Sequence, residues 1–525
     1  MKDENERLRS SGATPDVTPA VPPDAEVVAP PLPEPATQPA PDPILTASPI
    51  GESRKLVVNT LAGGGVNIVK IGLQLLMLPL MAHLLGPAEF GIYGLALPTV
   101  AFFMTLADGG LGASLARERT QSLEIWSSAF WLVLIVGITL MLSVAGWGVL
   151  LARLAHEPRV TGVMALLSVS FVFVTLSVLP SARLTRDRRL AAIAGADLAG
   201  NLVGVATAVM LAYGGAGAIS LAAQYVMLYF VRAIILNRLA FVRPSLIFRP
   251  SSLKAHVSTG SSLVCSRMVD FVGRLVENLV FGRTFGPAAL GTFTFGNQVP
   301  RFVCEAASGP LWGALYAHAL REDDESLTSL HAKLVHILTL LLAPVAFLSA
   351  AVVPGLILRI LGPSWSDAAT IMSILIPFYA LGAVTAQGGA VLLARGAGWM
   401  VFHIAVVLVV ARVAAVLAGP WIGPAGVAWG IGVAQVAYAA LMLVAPGWHG
   451  LSPMRRLLRE MLVPTLAGIA AGVICRVIVT GAPTDFWRVG LGLAAGLACY
   501  LAILIVLEGK RLRADLAGIR RLVRR

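Results

Sequence analysis

Runs of apolar residues long enough to cross a bilayer, separated by short polar intervals, repeat along most of this chain. They fall at about 56–85, 90–107, 125–152, 160–179, 190–213, 216–236, 260–285, 288–312, 334–358, 368–394, 399–418, 423–444, 462–479 and 486–507. About 20 residues of helix, rising about 1.5 Å each, cover the hydrocarbon core of a membrane. The pattern therefore predicts an all-α integral membrane protein with fourteen transmembrane helices. Two pairs sit close together, and the turn chemistry of Tyr213-Gly214-Gly215-Ala216 and Gly419-Pro420-Trp421-Ile422-Gly423 predicts tight hairpins there instead of single long helices.

The stretch 260–285 breaks the monotony. It is apolar enough to span, yet carries Arg267, Asp270, Arg274 and Glu277. On a helix these four fall within about 80° of arc. Each ionised group facing lipid would cost roughly 3 kcal/mol or more, so the stripe must face protein or water. The helix is expected to border an internal polar cavity.

A repeat links the two halves. Gly86-Pro87-Ala88-Glu89-Phe90-Gly91 matches Gly286-Pro287-Ala288-Ala289-Leu290-Gly291 at an offset of 200. In that register Asn67, Lys70 and Gln74, themselves one helix face, align with Arg267, Asp270 and Arg274. Six spans per copy is an even number, so both copies enter the membrane in the same direction. The expected layout is an N-lobe at 55–240, a C-lobe at 255–446, two extra helices at 460–508 and a basic tail at 509–525. Residues 1–54 are Pro- and Ala-rich, lack an apolar signal core, and are expected to be a disordered cytoplasmic tail.

Charge orients the predicted helices. Loops after even-numbered spans hold sixteen Lys and Arg, and loops after odd-numbered spans hold five. The positive-inside rule then places both termini in the cytoplasm, and the basic C-terminal segment suits anionic lipid headgroups. The net charge of +12 is spread between apolar runs without interleaved aromatics, which argues against nucleic acid as a partner. With 57% hydrophobic and 13% charged residues, a soluble globular protein is excluded. The four cysteines, Cys265, Cys304, Cys475 and Cys499, lie inside apolar runs without metal-ligand spacing and are expected to be packing residues.

The helix at 56–85, followed by Leu84-Leu85-Gly86-Pro87, Phe90-Gly91 and Tyr93, and a second helix ending in Asp108-Gly109-Gly110-Leu111-Gly112, resembles the opening of polysaccharide-transporter proteins. These are the bacterial O-antigen and exopolysaccharide flippases of the multidrug/oligosaccharidyl-lipid/polysaccharide exporter superfamily. The copy at Gly286-Pro287 and a third Leu361-Gly362-Pro363-Ser364-Trp365 are similar too. The likeness covers roughly residues 55–510. It implies a V-shaped two-lobe fold, alternating access in the bacterial inner membrane, and an undecaprenyl-pyrophosphate-linked oligosaccharide as substrate for exopolysaccharide, O-antigen or capsule assembly. Polymerase and glycosyltransferase machinery are the partners it suggests.

A pyrophosphate requires sheltered cations, and arginine recognises phosphate bidentately. Lys70, Arg267, Arg274 and Arg301 are the candidates, with Asn67, Gln74 and Asn297 as polar neighbours on the same helices. Asp270, Glu277, Glu305 and Asp197 are either coupling carboxylates or partners that position the arginines. Arg267–Asp270, Arg274–Glu277 and Arg301–Glu305 have helical pairing spacings, so they could latch helices without touching substrate. Arg232, Arg412 and Arg476 read as snorkelling or interhelical anchors. Asp108 is expected to order its glycine turn. Pro79, Pro98, Pro300, Pro344 and Pro377 predict helix kinks, and Trp126, Trp131, Trp312, Trp365, Trp421 and Trp487 an interfacial belt.

Nucleotide and zinc motifs are missing from the sequence, and no catalytic residue, metal or cofactor is expected. Three rivals remain open: a drug or cation antiporter of the same superfamily, a peptidoglycan-precursor flippase and a non-transporting membrane scaffold.

Overall fold

Glycine followed by proline punctuates the helices, and the reason is backbone geometry. Gly86 (φ 75°, ψ 170°), Gly286 (φ 84°, ψ 172°), Gly362 (φ 90°, ψ 179°) and Gly423 (φ 70°, ψ 174°) adopt conformations that a Cβ would oppose. Pro87, Pro287, Pro363 and Pro424 then start the next helical turn, where a missing N–H costs nothing. The two matched Gly-Pro motifs thus break their helices with nearly equal dihedrals. Pro79, Pro98, Pro300, Pro344 and Pro377 all lie inside helices, while the breaks recorded there fall at glycines.

The structure, a computed structural model, describes residues 49–108, 112, 115, 122–241, 243–249, 261–320, 323–481 and 485–523. Side chains at 49–68, 70–71, 74–75, 105, 108, 261–267, 270 and 510–523 also lie outside the described set. Helix α1 (Pro49–Asp108) carries the Gly86 break. It is followed by α2 (Leu123–Ala155), α3 (Arg159–Leu176) with its short continuation α4 (Val178–Arg186), α5 (Leu190–Tyr213) and α6 (Ala218–Ala240). Helix α7 (Ser261–Ala319) carries the Gly286 break. After α8 (Asp324–Ile360) and a 3-10 turn (Pro363–Trp365) come α9 (Ser366–Thr385) and its continuation α10 (Gln387–Ala394). The chain ends with α11 (Gly398–Leu417), α12 (Gly419–Trp448), α13 (Met454–Val479) and α14 (Phe486–Val523). Among the described residues there is no strand.

Eleven helices in the described residues are long and apolar enough to cross a membrane. The predicted hairpins at 213–216 and 419–423 are present as α5–α6 and α11–α12, with sharp turns at Gly217 and Gly423. Part of the stretch 260–285 and most of the first arm of α1 lie outside the described residues, so the eleven leave these two stretches uncounted. Packing follows sequence order: α2 against α3, α5 against α6, α8 against α9 and α11 against α12, with α13 set on α8 and α14 on α13.

The matched motifs meet each other. Gly91 and Gly291 approach so closely that a Cβ on Gly91 would lie 1.9 Å from the Pro287 carbonyl oxygen, and one on Gly291 1.8 Å from that of Pro87. One turn on, Gly94 packs on Thr294, and Asn278 Nδ2 donates to the Gly94 carbonyl at 2.8 Å. Beneath this contact Phe90, Phe295 and Trp365, each shortly after a Gly-Pro break, form an edge-to-face triad with centroids 5.1–5.9 Å apart. Such pairs contribute about 0.5–1.5 kcal/mol beyond the area they bury. Trp365 is therefore core, 1% exposed, and Trp126 is buried too, correcting their expected place in an interfacial belt. Trp421 and Trp487 are exposed as a belt requires.

At the start of α3, Arg159 Nη1 holds Glu89 Oε1 at 2.6 Å and Arg159 Nε holds Glu157 Oε1, in the loop before it, at 2.8 Å. Glu89 Oε2 also accepts from the first N–H of α6, Ala218, at 2.8 Å. The hydrogen bond from Arg159 holds the Glu157 carboxyl below its ordinary range. A depressed carboxylate stabilises above its unfolded pKa, and that contribution disappears as pH falls through the folded one. Arg159→Ala should therefore cost only about 0–1 kcal/mol at pH 7, because Arg159 is half exposed, and less still on acidification. Thermal melts at pH 7 and pH 3.5 check this, and an equal effect at both would contradict it.

Candidate functional site

The break at Gly286 sends α7 back on itself, so residues similarly spaced before and after it reach similar depth. Arg274 and Glu277 before the break, and Asn297 and Arg301 after it, lie roughly 14–22 Å along the helix from Gly286. This is near the middle of a hydrocarbon core about 30 Å thick, if the break marks one face. Here the two arms of α7 and one face of α1 enclose a cavity of about 200 Å³.

Glu277 and Arg412 dominate its wall. Arg412, on α11, donates from Nη2 to Glu277 Oε2 at 2.9 Å, with side-chain exposures of only 7% and 2%. The same nitrogen reaches the Tyr379 hydroxyl of α9 at 3.4 Å, and that hydroxyl donates to Asn297 Oδ1. A single polar chain, Glu277–Arg412–Tyr379–Asn297, thus ties α7, α9 and α11 together. Arg301 Nε donates to Glu305 Oε1 at 2.6 Å along α7, and both face the cavity with Arg274. Among the described residues the ionisable lining is three arginines and two glutamates, a net charge of +1.

Of the sequence-predicted residues, Arg274, Arg301, Asn297, Glu277 and Glu305 are brought together here. Arg301 and Glu305 pair at the expected i, i+4 spacing. Glu277, expected beside Arg274, accepts from Arg412, because α11 crosses α7 at that level where Gly273 admits Val409. Arg412 is accordingly an interhelical anchor, one of its two expected roles, that also lines the cavity, and it does not snorkel. Asn67, Lys70, Gln74, Arg267 and Asp270 lie on α1 and α7, but their side chains fall outside the described residues, as do the Asp108 turn and the tail at 1–48.

Asp197 stands apart from this cavity. Arg232 Nε of α6 holds Asp197 Oδ1 of α5 at 2.6 Å, and Asn201 Nδ2 donates to the Asp197 carbonyl at 2.8 Å. Arg232 is the expected interhelical anchor, as is Arg476, which reaches the Ala351 carbonyl at 3.2 Å. Cys304 and Cys475 are buried.

Sequence reasoning missed a second polar cluster. His336 of α8, 2% exposed, is flanked by Glu460 of α13, Nδ1 to Oε2 at 3.5 Å, and Glu508 of α14, Nε2 to Oε2 at 3.4 Å. These three are far apart in sequence and each reads alone as a span-end residue. A larger cavity of about 460 Å³ between α8, α9, α12 and α13 is lined by apolar groups such as Phe347, Phe378 and Met461. Among the described residues its lining holds no carboxylate, lysine or arginine.

Comparison with known proteins places this arrangement. Residues 80–370, more than half the chain, match the family described as polysaccharide biosynthesis protein. The succinoglycan biosynthesis transport protein ExoT of Rhizobium meliloti (strain 1021) is 23% identical over 306 residues, covering 58% of this chain and 62% of ExoT. The lipopolysaccharide biosynthesis protein WzxC of Escherichia coli (strain K12) is 20% identical over 334 residues, covering 62% of this chain and 68% of WzxC. The chain thus spans less than two thirds of ExoT. The lipid II flippase MurJ in its inward closed conformation superposes with a TM-score of 0.68 at 12% identity, over 87% of this chain and 100% of that one. An inward-facing multidrug resistance MATE family transporter of the MOP superfamily gives 0.56 at 18% identity, over 74% and 96%. At such identities the structural likeness speaks for the fold. The chain belongs to the polysaccharide biosynthesis protein family.

Proposed function

We propose that this protein is a flippase that carries an undecaprenyl-pyrophosphate-linked oligosaccharide across the bacterial inner membrane for surface polysaccharide assembly. The observation that carries this reading is the mid-depth cavity lined by Arg274, Arg301 and Arg412. Three guanidinium groups against two carboxylates leave it net cationic, which suits a pyrophosphate and disfavours the cationic compounds of a drug antiporter. The apolar cavity between α8, α9, α12 and α13 offers room for part of the lipid tail.

The proposal includes fourteen crossings, counting each arm of α1 and α7 as one and joining α3 to α4 and α9 to α10. Both termini then face the cytoplasm, and the lobes at 55–240 and 255–446 run parallel in a V-shaped, alternating-access fold. Helices α13 and α14 form an appendage. In this topology the Gly91–Gly291 contact closes the periplasmic end, so the substrate head enters from the cytoplasm. Glu277 and Glu305 position arginines or couple transport to ion movement. Lys70, Arg267 and Asp270, with Asn67 and Gln74, extend the polar path along the first arms of α1 and α7, and Asp197 fixes α5 to α6.

Deletion of the protein tests the substrate class. A lipid-linked oligosaccharide of the surface-polysaccharide pathway should accumulate in the cytoplasmic leaflet, and accumulation of the peptidoglycan precursor instead would contradict the assignment. Arg274→Lys probes the chemistry: it should lose nearly as much surface polymer as Arg274→Ala where bidentate geometry decides, since lysine offers only a point charge. Polymer yield near wild type in both variants would remove Arg274 from the site.

A further inference from the structure

Next to the cationic cavity lies another of about 270 Å³, and Leu97, Gln298 and Phe302 belong to the walls of both. Where the first is ionic, this one presents the aromatic side chains of Tyr93 and Tyr225 and the amides of Asn201, Gln224 and Gln298, with no ionisable carboxylate, lysine or arginine among its described lining residues. Aromatic ring faces carry partial negative charge and attract the C–H face of a pyranose, while amides both donate to and accept from hydroxyls. Beside apolar residues such as Met77, Leu221 and Leu228, these rings and amides supply the stacking faces and hydroxyl partners that a neutral sugar requires.

The lining is held in place. Gly200 and Gly204 of α5 press against the carbonyl oxygens of Leu228 and Gln224 on α6, where a Cβ would lie 2.5 and 2.7 Å away. This fixes the stretch of α6 that presents Gln224 and Tyr225. Tyr225 is further set edge-on against Tyr229, centroids 5.2 Å apart. Asn201 is 2% exposed and tethered through its amide nitrogen to the Asp197 carbonyl.

We propose that this cavity is the glycan subsite, taking the sugar next to the pyrophosphate while the phosphates engage the arginines across the shared wall. The inference rests on the flippase reading and extends it to the sugar. The volume corresponds to roughly nine water molecules, which suits one hexose ring, so the site would read the first sugar and leave the others outside.

Two probes separate this inference from the reading beneath it. One is bare undecaprenyl pyrophosphate; the other is the lipid-linked oligosaccharide extracted from cells lacking the protein. Binding of each to the purified full-length protein in nanodiscs is measured for wild type, Tyr225→Leu and Gln224→Ala. Both residues line this cavity and not the arginine cavity, and neither is fully buried. Wild type should bind the glycolipid at least tenfold more tightly than the bare lipid. Each variant should lose roughly tenfold for the glycolipid and less than twofold for undecaprenyl pyrophosphate. Equal losses on both probes, or no glycolipid preference in wild type, would overturn the glycan subsite while leaving the flippase reading standing. Wild type that binds neither probe overturns both.

Discussion

Arg412→Met should abolish surface polysaccharide and sharply lower the thermal stability of the purified protein. The Arg412→Met, Glu277→Leu double variant should regain the stability without regaining transport. Arg412 and Glu277 are 7% and 2% exposed and bonded at 2.9 Å, so removing the cation takes the compensating charge of Arg412 from a carboxylate buried inside the protein. Breaking a buried pair on one side typically costs roughly 3–5 kcal/mol, whereas replacing both partners by apolar groups is often close to neutral. Transport stays lost in the double variant because Arg412 also holds Tyr379, and through it Asn297, against the cavity. A double-mutant cycle read by thermal melts separates the two effects. Additive losses would mean that the pair is not the coupled unit described here, and a transporting double variant would take Arg412 out of the site.

Gly91→Ala and Gly291→Ala should each inactivate the protein while leaving it in the membrane. Their new Cβ atoms would lie 1.9 and 1.8 Å from backbone oxygens of the opposite motif. A backbone oxygen cannot rotate aside as a side chain does, so the arms must separate. Overpacking of this kind costs about 1–3 kcal/mol, enough to lower the closed population by roughly ten- to a hundredfold. Thr294, now buried against Gly94, supplies the reporter. Thr294→Cys should react slowly with a water-soluble maleimide, and at least tenfold faster when Gly91→Ala is added. Unchanged labelling would show that this contact is not the closed gate.

Much of this architecture was legible because it is encoded locally. The breaks at Gly86 and Gly286 follow from a residue that alone tolerates those dihedrals, followed by one that starts helices, and the repeat at an offset of 200 announces both. The charged stripe of α7 was legible for the same reason: ionised groups on one arc of an apolar helix have only one tolerable direction to face. Arg274, Glu277, Asn297, Arg301 and Glu305, singled out on that ground and by helical spacing, line one cavity.

What escaped were partnerships between distant segments. Glu277 had an arginine at helical spacing, so local pairing looked sufficient, yet its carboxylate also reaches an arginine 135 residues away. Arg412 itself sits in a very apolar helix, and the cost of a charge there was the available sign that it faced inward. Trp365 looked like a span-end tryptophan because its position in the chain, just after a Gly-Pro turn, is the same for a belt residue and a core residue; the Phe90 and Phe295 rings decide it. His336, Glu460 and Glu508 likewise become a cluster only when α8, α13 and α14 pack. Tyr225 and Gln224 lie in an ordinary-looking helix and acquire meaning from the cavity they share with α1 and α7.

The most direct test concerns the arginines themselves. Cells whose only copy carries Arg274→Ala and Arg301→Ala, matched to wild type in membrane level and thermal stability, are assayed for the leaflet distribution of the lipid-linked oligosaccharide. If guanidinium groups in this cavity conduct the pyrophosphate head across, the glycolipid should be retained on the cytoplasmic side and surface polymer should fall by at least tenfold. A wild-type distribution across the two leaflets would contradict the account.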